Sequence, residues 1–242
     1  MGHVERIIPD EAESGVVAAH LRRYQFALPW CDGKDVLDAA CGAGYGSALL
    51  ATVARRVVGV DISEDAVDYA RRRYAAPNVE FRRLDLHCLE LPATSFDVVC
   101  SFETIEHLAD RDEYLRGVVR VLRPHGAFLV STPRADLTVS EPENPYHAIE
   151  FSLPDFEQLL RRYFGDVELY GQRRLETRRY LFVRRLDVLG LRKRTAVFRP
   201  LARRLLGTSP TAEVTAGDLV VSRDGLKRAS ELIAVCRRPR LL

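Results

Sequence analysis

Short apolar runs alternate along this chain with segments of helical period, and that alternation constrains its fold more than any other feature. "DVLDAA" (35–40), "RVVGVD" (56–61), "VEFRRLD" (79–85), "SFDVVCSF" (95–102), "GAFLVSTP" (126–133), "DVELYG" (166–171) and "SELIAVCRRP" (230–239) read as strands. Between them, "YGSALLATVA" (45–54), "SEDAVDYARRRY" (63–74), "RDEYLRGVVRVL" (111–122) and "LPDFEQLLRRYF" (153–164) read as helices. Ser63 stands where an N-cap belongs, with acids in the turn after it, and Pro154 stands near the start of the last helix. A strand that feeds a helix before the next strand needs a crossover, so the sheet is mostly parallel and covered on both faces. The 242 residues suffice for one such α/β domain with a buried core.

Composition removes several classes. No apolar run approaches the ~18–20 residues of a membrane span. The opening "MGHVERIIPDE" has no apolar signal region. Five cysteines (Cys31, Cys41, Cys88, Cys100, Cys236), without C-x-x-C spacing, are expected as free thiols in a reducing cytoplasm. Charge is unevenly placed: residues 171–205 hold twelve Arg or Lys against Glu176 and Asp187, although the whole chain is only +2. The expected organisation is a helical cap (1–33), a ligand-binding core (34–170), a basic helical insertion (171–228), and a last strand with its tail (229–242). In the cap, "GVVAAHLRRYQFALPW" (15–30) reads as an amphipathic helix, with His20, Arg22 and Arg23 on its surface and Tyr24 and Phe26 packing.

The first strand runs into "DAACGAGYG", with Gly42, Gly44 and Gly46 between strand and helix. Glycine lets backbone approach a ligand closely, and the helix start that follows favours an anion. Asp61 closes the second strand, where an acid can take the two hydroxyls of a ribose, and Asp85 ends the third. A fourth feature follows the next strand. In "SFETIEHL" (101–108), Glu103, Glu106 and His107 are spaced i, i+3, i+4 and share one face of a helical turn. The set reads either as a helix start with acids favoured by the dipole, or as ligands of a divalent metal. "ENPYHAIEFSLPDFEQLL" (143–160) adds His147 from a loop on the same edge of the sheet.

The ordered set "DAACGAG", "GVDIS", "RRLDL", "FDVVCSFETIEH" resembles the class I S-adenosylmethionine-dependent methyltransferases, over roughly 34–170 and the last strand. The resemblance implies a three-layer Rossmann-like sheet of seven strands, the last one antiparallel. It implies S-adenosylmethionine as cofactor. Asp38, Ala40, Gly42 and Gly44 would surround the methionine part, Asp61 would hold the ribose hydroxyls, and Ile62 would lie against the adenine. Asp85 would take the adenine amino group with Leu86 beside it, and Ser101 and Phe102 would lie near the methionine end. E-x-x-E-H with a later His is similar to a metal-dependent subset: ubiquinone-pathway O-methyltransferases and small-RNA 3′-terminal ribose methyltransferases. Both groups methylate one hydroxyl of a vicinal diol. On that likeness Glu103, Glu106, His107 and His147 would hold the metal, with Glu106, His107 and His147 catalytic.

Two His ligands favour manganese, iron, cobalt or zinc, with magnesium left open. Either His could instead be a general base.

The wording "STPRADLT…PENPYHAIEFS" resembles bacterial sugar and polysaccharide O-methyltransferases. It makes a saccharide hydroxyl the expected acceptor, free or carrier-linked, with Asn144, Tyr146 and Glu150 as substrate contacts. A catechol-like natural product or an RNA 3′-terminal ribose is the alternative acceptor, and a non-catalytic binding module the rival class. The basic segment suits cap helices or a homodimer surface, and also peripheral contact with an anionic membrane. It carries no recognisable RNA-binding module, so a nucleic-acid partner is not expected.

Overall fold

The computed structural model describes residues 14–175 and 215–240. Helix α1 (Ser14–Cys31) leads into β1 (Asp35–Ala39), and the glycine loop then opens α2 (Tyr45–Leu50). There follow β2 (Arg56–Asp61), α3 (Glu64–Arg73), β3 (Val79–Arg83), β4 (Phe96–Phe102), α4 (Arg111–Val121) and β5 (Leu122–Ala135). The chain continues through β6 (Phe151–Ser152), α5 (Leu153–Tyr163), β7 (Phe164–Arg174), β8 (Leu219–Ser222) and β9 (Glu231–Pro239). The main sheet runs β3-β2-β1-β4-β5-β9-β7-β8, with β6 paired to β5 off that path. Strands β1 to β5 pair in parallel. The last strand enters antiparallel between β5 and β7, as expected.

Local chemistry sets the element ends. Ser63 Oγ accepts the Ala66 N–H to open α3, and Asp110 accepts the Glu113 N–H to open α4. Helix α4 stops at Val121, three residues before Pro124. Alternate residues of β4 then sort into two layers. Val99 faces α4 and α5, among Leu115, Val118, Phe128, Phe156 and Leu160. Val98 and Cys100 face α1 and α2, among Ala27, Cys31, Leu50 and Leu129. Each such fully buried aliphatic side chain contributes about 1.5–3 kcal/mol.

Strands β6 and β8 are additions to the expected sheet. Of the segment 171–228, expected to be helical, residues 171–174 continue β7 and 219–222 form β8 against it. The physical reason is the β7 edge, whose bare N–H and C=O groups the Leu219-Val220-Val221 run satisfies. Most of the basic insertion and the N-terminal "ERIIPD" lie outside the described residues. All five cysteines are free thiols. Among the described residues, no helix is long and apolar enough to cross a membrane.

Parallel pairing brings the ends of β1, β2, β3, β4 and β5 to one edge. Strand β7 ends there too, because both it and β5 oppose β9. That edge is where an open α/β sheet binds its ligand.

Candidate functional site

The glycine loop turns sharply at the end of β1. Ala40, Gly42 and Gly44 all have positive φ, at 62°, 52° and 85°. A Cβ on Gly44 would lie 2.5 Å from the Ala70 Cβ, so this glycine lets α2 start against α3. A Cβ on Gly42 would meet nothing within 4 Å, so this glycine faces open space. Its N–H donates to Asp61 Oδ2 at 2.8 Å, and the Ser63 N–H donates to Asp61 Oδ1 at 2.9 Å. The carboxylate at the end of β2 is thereby locked beside the open loop. Ile62, next to it, is 54% exposed, an apolar face turned outward.

Asp85 caps a 3-10 turn (Leu86–Cys88), accepting the His87 N–H at 2.9 Å. That backbone bond, then the His87 ring, holds its carboxyl below the usual range. Leu86 packs into the core. Asp38 is fully buried and accepts from Ser47 Oγ at 2.6 Å and Tyr24 Oη at 3.1 Å. Burial pushes its carboxyl up to about 6. Phe102 meets the Tyr24 ring edge-on at 5.1 Å. Ser101 Oγ is buried with no hydrogen-bond partner among the described residues.

The cap helix supplies a residue that the sequence reading leaves on the surface. Arg23 is 1% exposed; its guanidinium lies 3.8 Å from Glu103 Oε2 and 4.0 Å from Glu231 Oε2. Its Nε and Nη1 lack hydrogen-bond partners among the described residues. His20 also departs from the surface expectation: it is half-buried, and burial, then Arg23, pushes its pKa down. The signal was available, because buried Ala27 and Cys31 follow Arg23 at i+4 and i+8.

Beyond β4, residues Ile105–His107 form a 3-10 turn. Glu103 has φ 53° and is clasped by Ser131, whose Oγ accepts its N–H at 3.1 Å and donates to its Oε1 at 2.6 Å. The expected four-ligand set therefore becomes three. Glu106, His107 and His147 bring ligand atoms within 4.8 Å of one another, and Glu103 stays with Ser131 and Arg23. The reason is pitch: a left-handed residue followed by a tight turn does not keep i, i+3 and i+4 on one face.

Glu106 is fully buried; its own backbone and the Thr132 hydroxyl lie near its carboxylate, but neither oxygen makes a hydrogen bond of normal geometry among the described residues. Burial, then the charge of Glu103, pushes its pKa well up. The loop after β5 comes to the set because the Glu106 carbonyl accepts the N–H groups of Ala148 (2.7 Å) and Ile149 (3.2 Å). The His107 and His147 rings lie 4.9 Å apart. His107 Nδ1 is 2.8 Å from the Tyr146 carbonyl, and His147 Nδ1 is 3.0 Å from Glu150 Oε1. Asn144 and Glu150, expected at the acceptor, both contact His147.

These residues fit a divalent ion. A buried carboxylate without a partner is costly, and a cation would satisfy it; one carboxylate with two imidazoles is a transition-metal donor set.

Comparison with known proteins bears on the domain and its fold. Residues 37–130 match a family described as "Methyltransferase domain". A probable S-adenosylmethionine-dependent methyltransferase of Mycolicibacterium smegmatis is 44% identical over 169 residues, 68% of this chain and 65% of that protein. This chain therefore covers less than two thirds of that relative's length. A fatty-acid O-methyltransferase of the same organism is 37% identical over 113 residues, 46% of this chain and 41% of that protein. A solved SAM-dependent methyltransferase from Archaeoglobus fulgidus shares the fold at a TM-score of 0.60 and 19% identity, covering 93% of this chain and 94% of that one.

Proposed function

Because residues 37–130 match a methyltransferase domain and the sheet is that of the class I methyltransferases, we propose methyl transfer from S-adenosylmethionine to a saccharide hydroxyl, assisted by a divalent metal on Glu106, His107 and His147. The observation that carries the metal reading is the buried, unpartnered Glu106 carboxylate beside two imidazole nitrogens.

The chain's own groups divide the work. The open face of Gly42 leaves room for the methionine part of the cofactor, and the spare Arg23 nitrogens suit its carboxylate. Asp61 keeps lone pairs for the ribose hydroxyls, Ile62 offers the adenine an apolar face, and Asp85 accepts from the adenine amino group. When bound, a divalent ion supplies Lewis acidity toward an acceptor hydroxyl. The transfer breaks the sulfur–methyl bond, forms the oxygen–methyl bond and releases the hydroxyl proton. With Nδ1 on the Tyr146 carbonyl, His107 keeps Nε2 as its lone-pair nitrogen, so as ligand or as base it would use that nitrogen.

The saccharide comes from the N-P-Y-H wording of the loop that delivers His147. One observation favours a second reading, an acceptor with an apolar portion. Leu137, Val139 and Tyr146, on that same loop, are 78%, 39% and 46% exposed. A fatty-acid O-methyltransferase among the relatives agrees with it. Such an acceptor would also give the basic segment a partner in an anionic membrane surface.

The test offers labelled S-adenosylmethionine with saccharides, alkyl glycosides, catechols, fatty acids and short RNA, each with manganese or chelator. Label on a saccharide that chelator abolishes supports the reading. Label that survives chelator makes His107 or His147 the base. Label on RNA or fatty acid alone overturns the saccharide.

A further inference from the structure

The loop after β5 decides where both imidazoles of the proposed metal set carry their protons. A carbonyl oxygen only accepts, so Tyr146 O, 2.8 Å from His107 Nδ1, puts the proton on that nitrogen. A carboxylate only accepts, so Glu150 Oε1, 3.0 Å from His147 Nδ1, does the same there. Both rings therefore offer Nε2 as the lone pair, the tautomer that ligation needs.

The two lone pairs differ in what they meet. Asn144 Oδ1 accepts the Tyr146 N–H at 3.0 Å, which turns the amide nitrogen of Asn144 toward His147. That nitrogen lies 3.0 Å from His147 Nε2 and donates to it. Among the described residues, no side chain bonds His107 Nε2 in this way. An ion approaching the set therefore finds one nitrogen open and the other already bonded.

We infer that Asn144 is a positioning residue that occupies the ligand lone pair of His147 until a metal displaces it, while Glu150 holds the ring in the ligating tautomer. This rests on the metal reading above. The two neighbours of one ring then act on metal affinity in opposite directions. Losing the Asn144 amide removes a competitor and tightens binding by roughly 3- to 10-fold, the equivalent of one neutral hydrogen bond. Losing the Glu150 carboxylate weakens binding by roughly 10-fold or more, as loss of an outer-shell partner does. If Asn144 only braced the loop, both losses would weaken binding.

The test uses the full chain, with Asn144→Ser and Glu150→Gln. Serine keeps an oxygen that can accept the Tyr146 N–H but lacks the donor to His147. Mn2+ alone is titrated by calorimetry, and the imidazole nitrogen resonances of the metal-free proteins are recorded. Tighter Mn2+ binding by Asn144→Ser, weaker binding by Glu150→Gln, and an Nδ1–H tautomer at His147 are expected. The His147 Nε2 resonance should also move in Asn144→Ser. Unchanged or weaker Mn2+ binding by Asn144→Ser overturns the displacement role alone. An Nε2–H tautomer in the wild type overturns the role of Glu150. No Mn2+ uptake by wild type, with the tautomer intact, overturns the metal reading and the displacement with it.

Discussion

A single carboxylate carries the strongest chemical statement here. Glu106 is buried without a hydrogen-bond partner among the described residues, which is unfavourable for folding and favourable for a cation. Glu106→Gln is nearly isosteric and neutral, so the metal-free variant should melt a few degrees above the wild type and lose the rise that Mn2+ gives. Thermal melts with manganese and with chelator read both effects; a variant still stabilised by Mn2+ would remove Glu106 from the set. Asp61 makes a second residue-level case. It bonds the Gly42 and Ser63 N–H groups and still has capacity for ribose hydroxyls. Asp61→Asn should weaken S-adenosylmethionine binding roughly 10- to 100-fold, the worth of hydrogen bonds to a charged group, as read by calorimetry.

At the scale of elements, α1 does more than cover the sheet. It places Tyr24 on Asp38 and brings Arg23 between Glu103 of β4's end and Glu231 of β9. Removing one member of a buried ion pair costs about 3–5 kcal/mol, because the remaining charge loses its partner. Arg23→Met should therefore lower the urea midpoint, since Glu103 and Glu231 lose their shared cation, and S-adenosylmethionine affinity, read by calorimetry well below that midpoint, should fall at least 10-fold. Equal affinity would return Arg23 to a purely structural role. Strand β4 separates the two effects. Val99 is fully buried between the sheet and α4, and Val99→Ala should cost about 2 kcal/mol in denaturant unfolding, with no direct effect on ligands. Where a side chain repeats with the period of its element, its role was legible in the sequence. Arg23 is the exception: it shares the period of Ala27 and Cys31, but a charged residue looks by type like a surface one, and type points the other way.

At the scale of the whole molecule, two aspartates give stability opposite dependences on pH. Asp38 rises from its ordinary 3.8 to about 6 on burial. The folded protein then holds the extra proton between those values, and stability falls by about 3 kcal/mol as pH rises through that window. Asp35 falls from 3.8 to about 2, chiefly through its hydrogen bond to Arg55. Its contribution is present above pH ~4 and is lost as pH falls toward 2. Urea midpoints should therefore lose their decline between pH 4 and 6 in Asp38→Asn, and lose part of their drop below pH 4 in Asp35→Asn.

The sequence by itself determined the alternating architecture, the order of the ligand loops and the identity of most chemical groups, because periodicity and turn residues act locally. Only the tertiary structure decided the partners. Packing of the cap helix buried Arg23, the left-handed Glu103 turned its carboxylate to Ser131, and a loop 40 residues further on set His147 beside His107. Such contacts depend on chain geometry over distances that a local pattern does not encode.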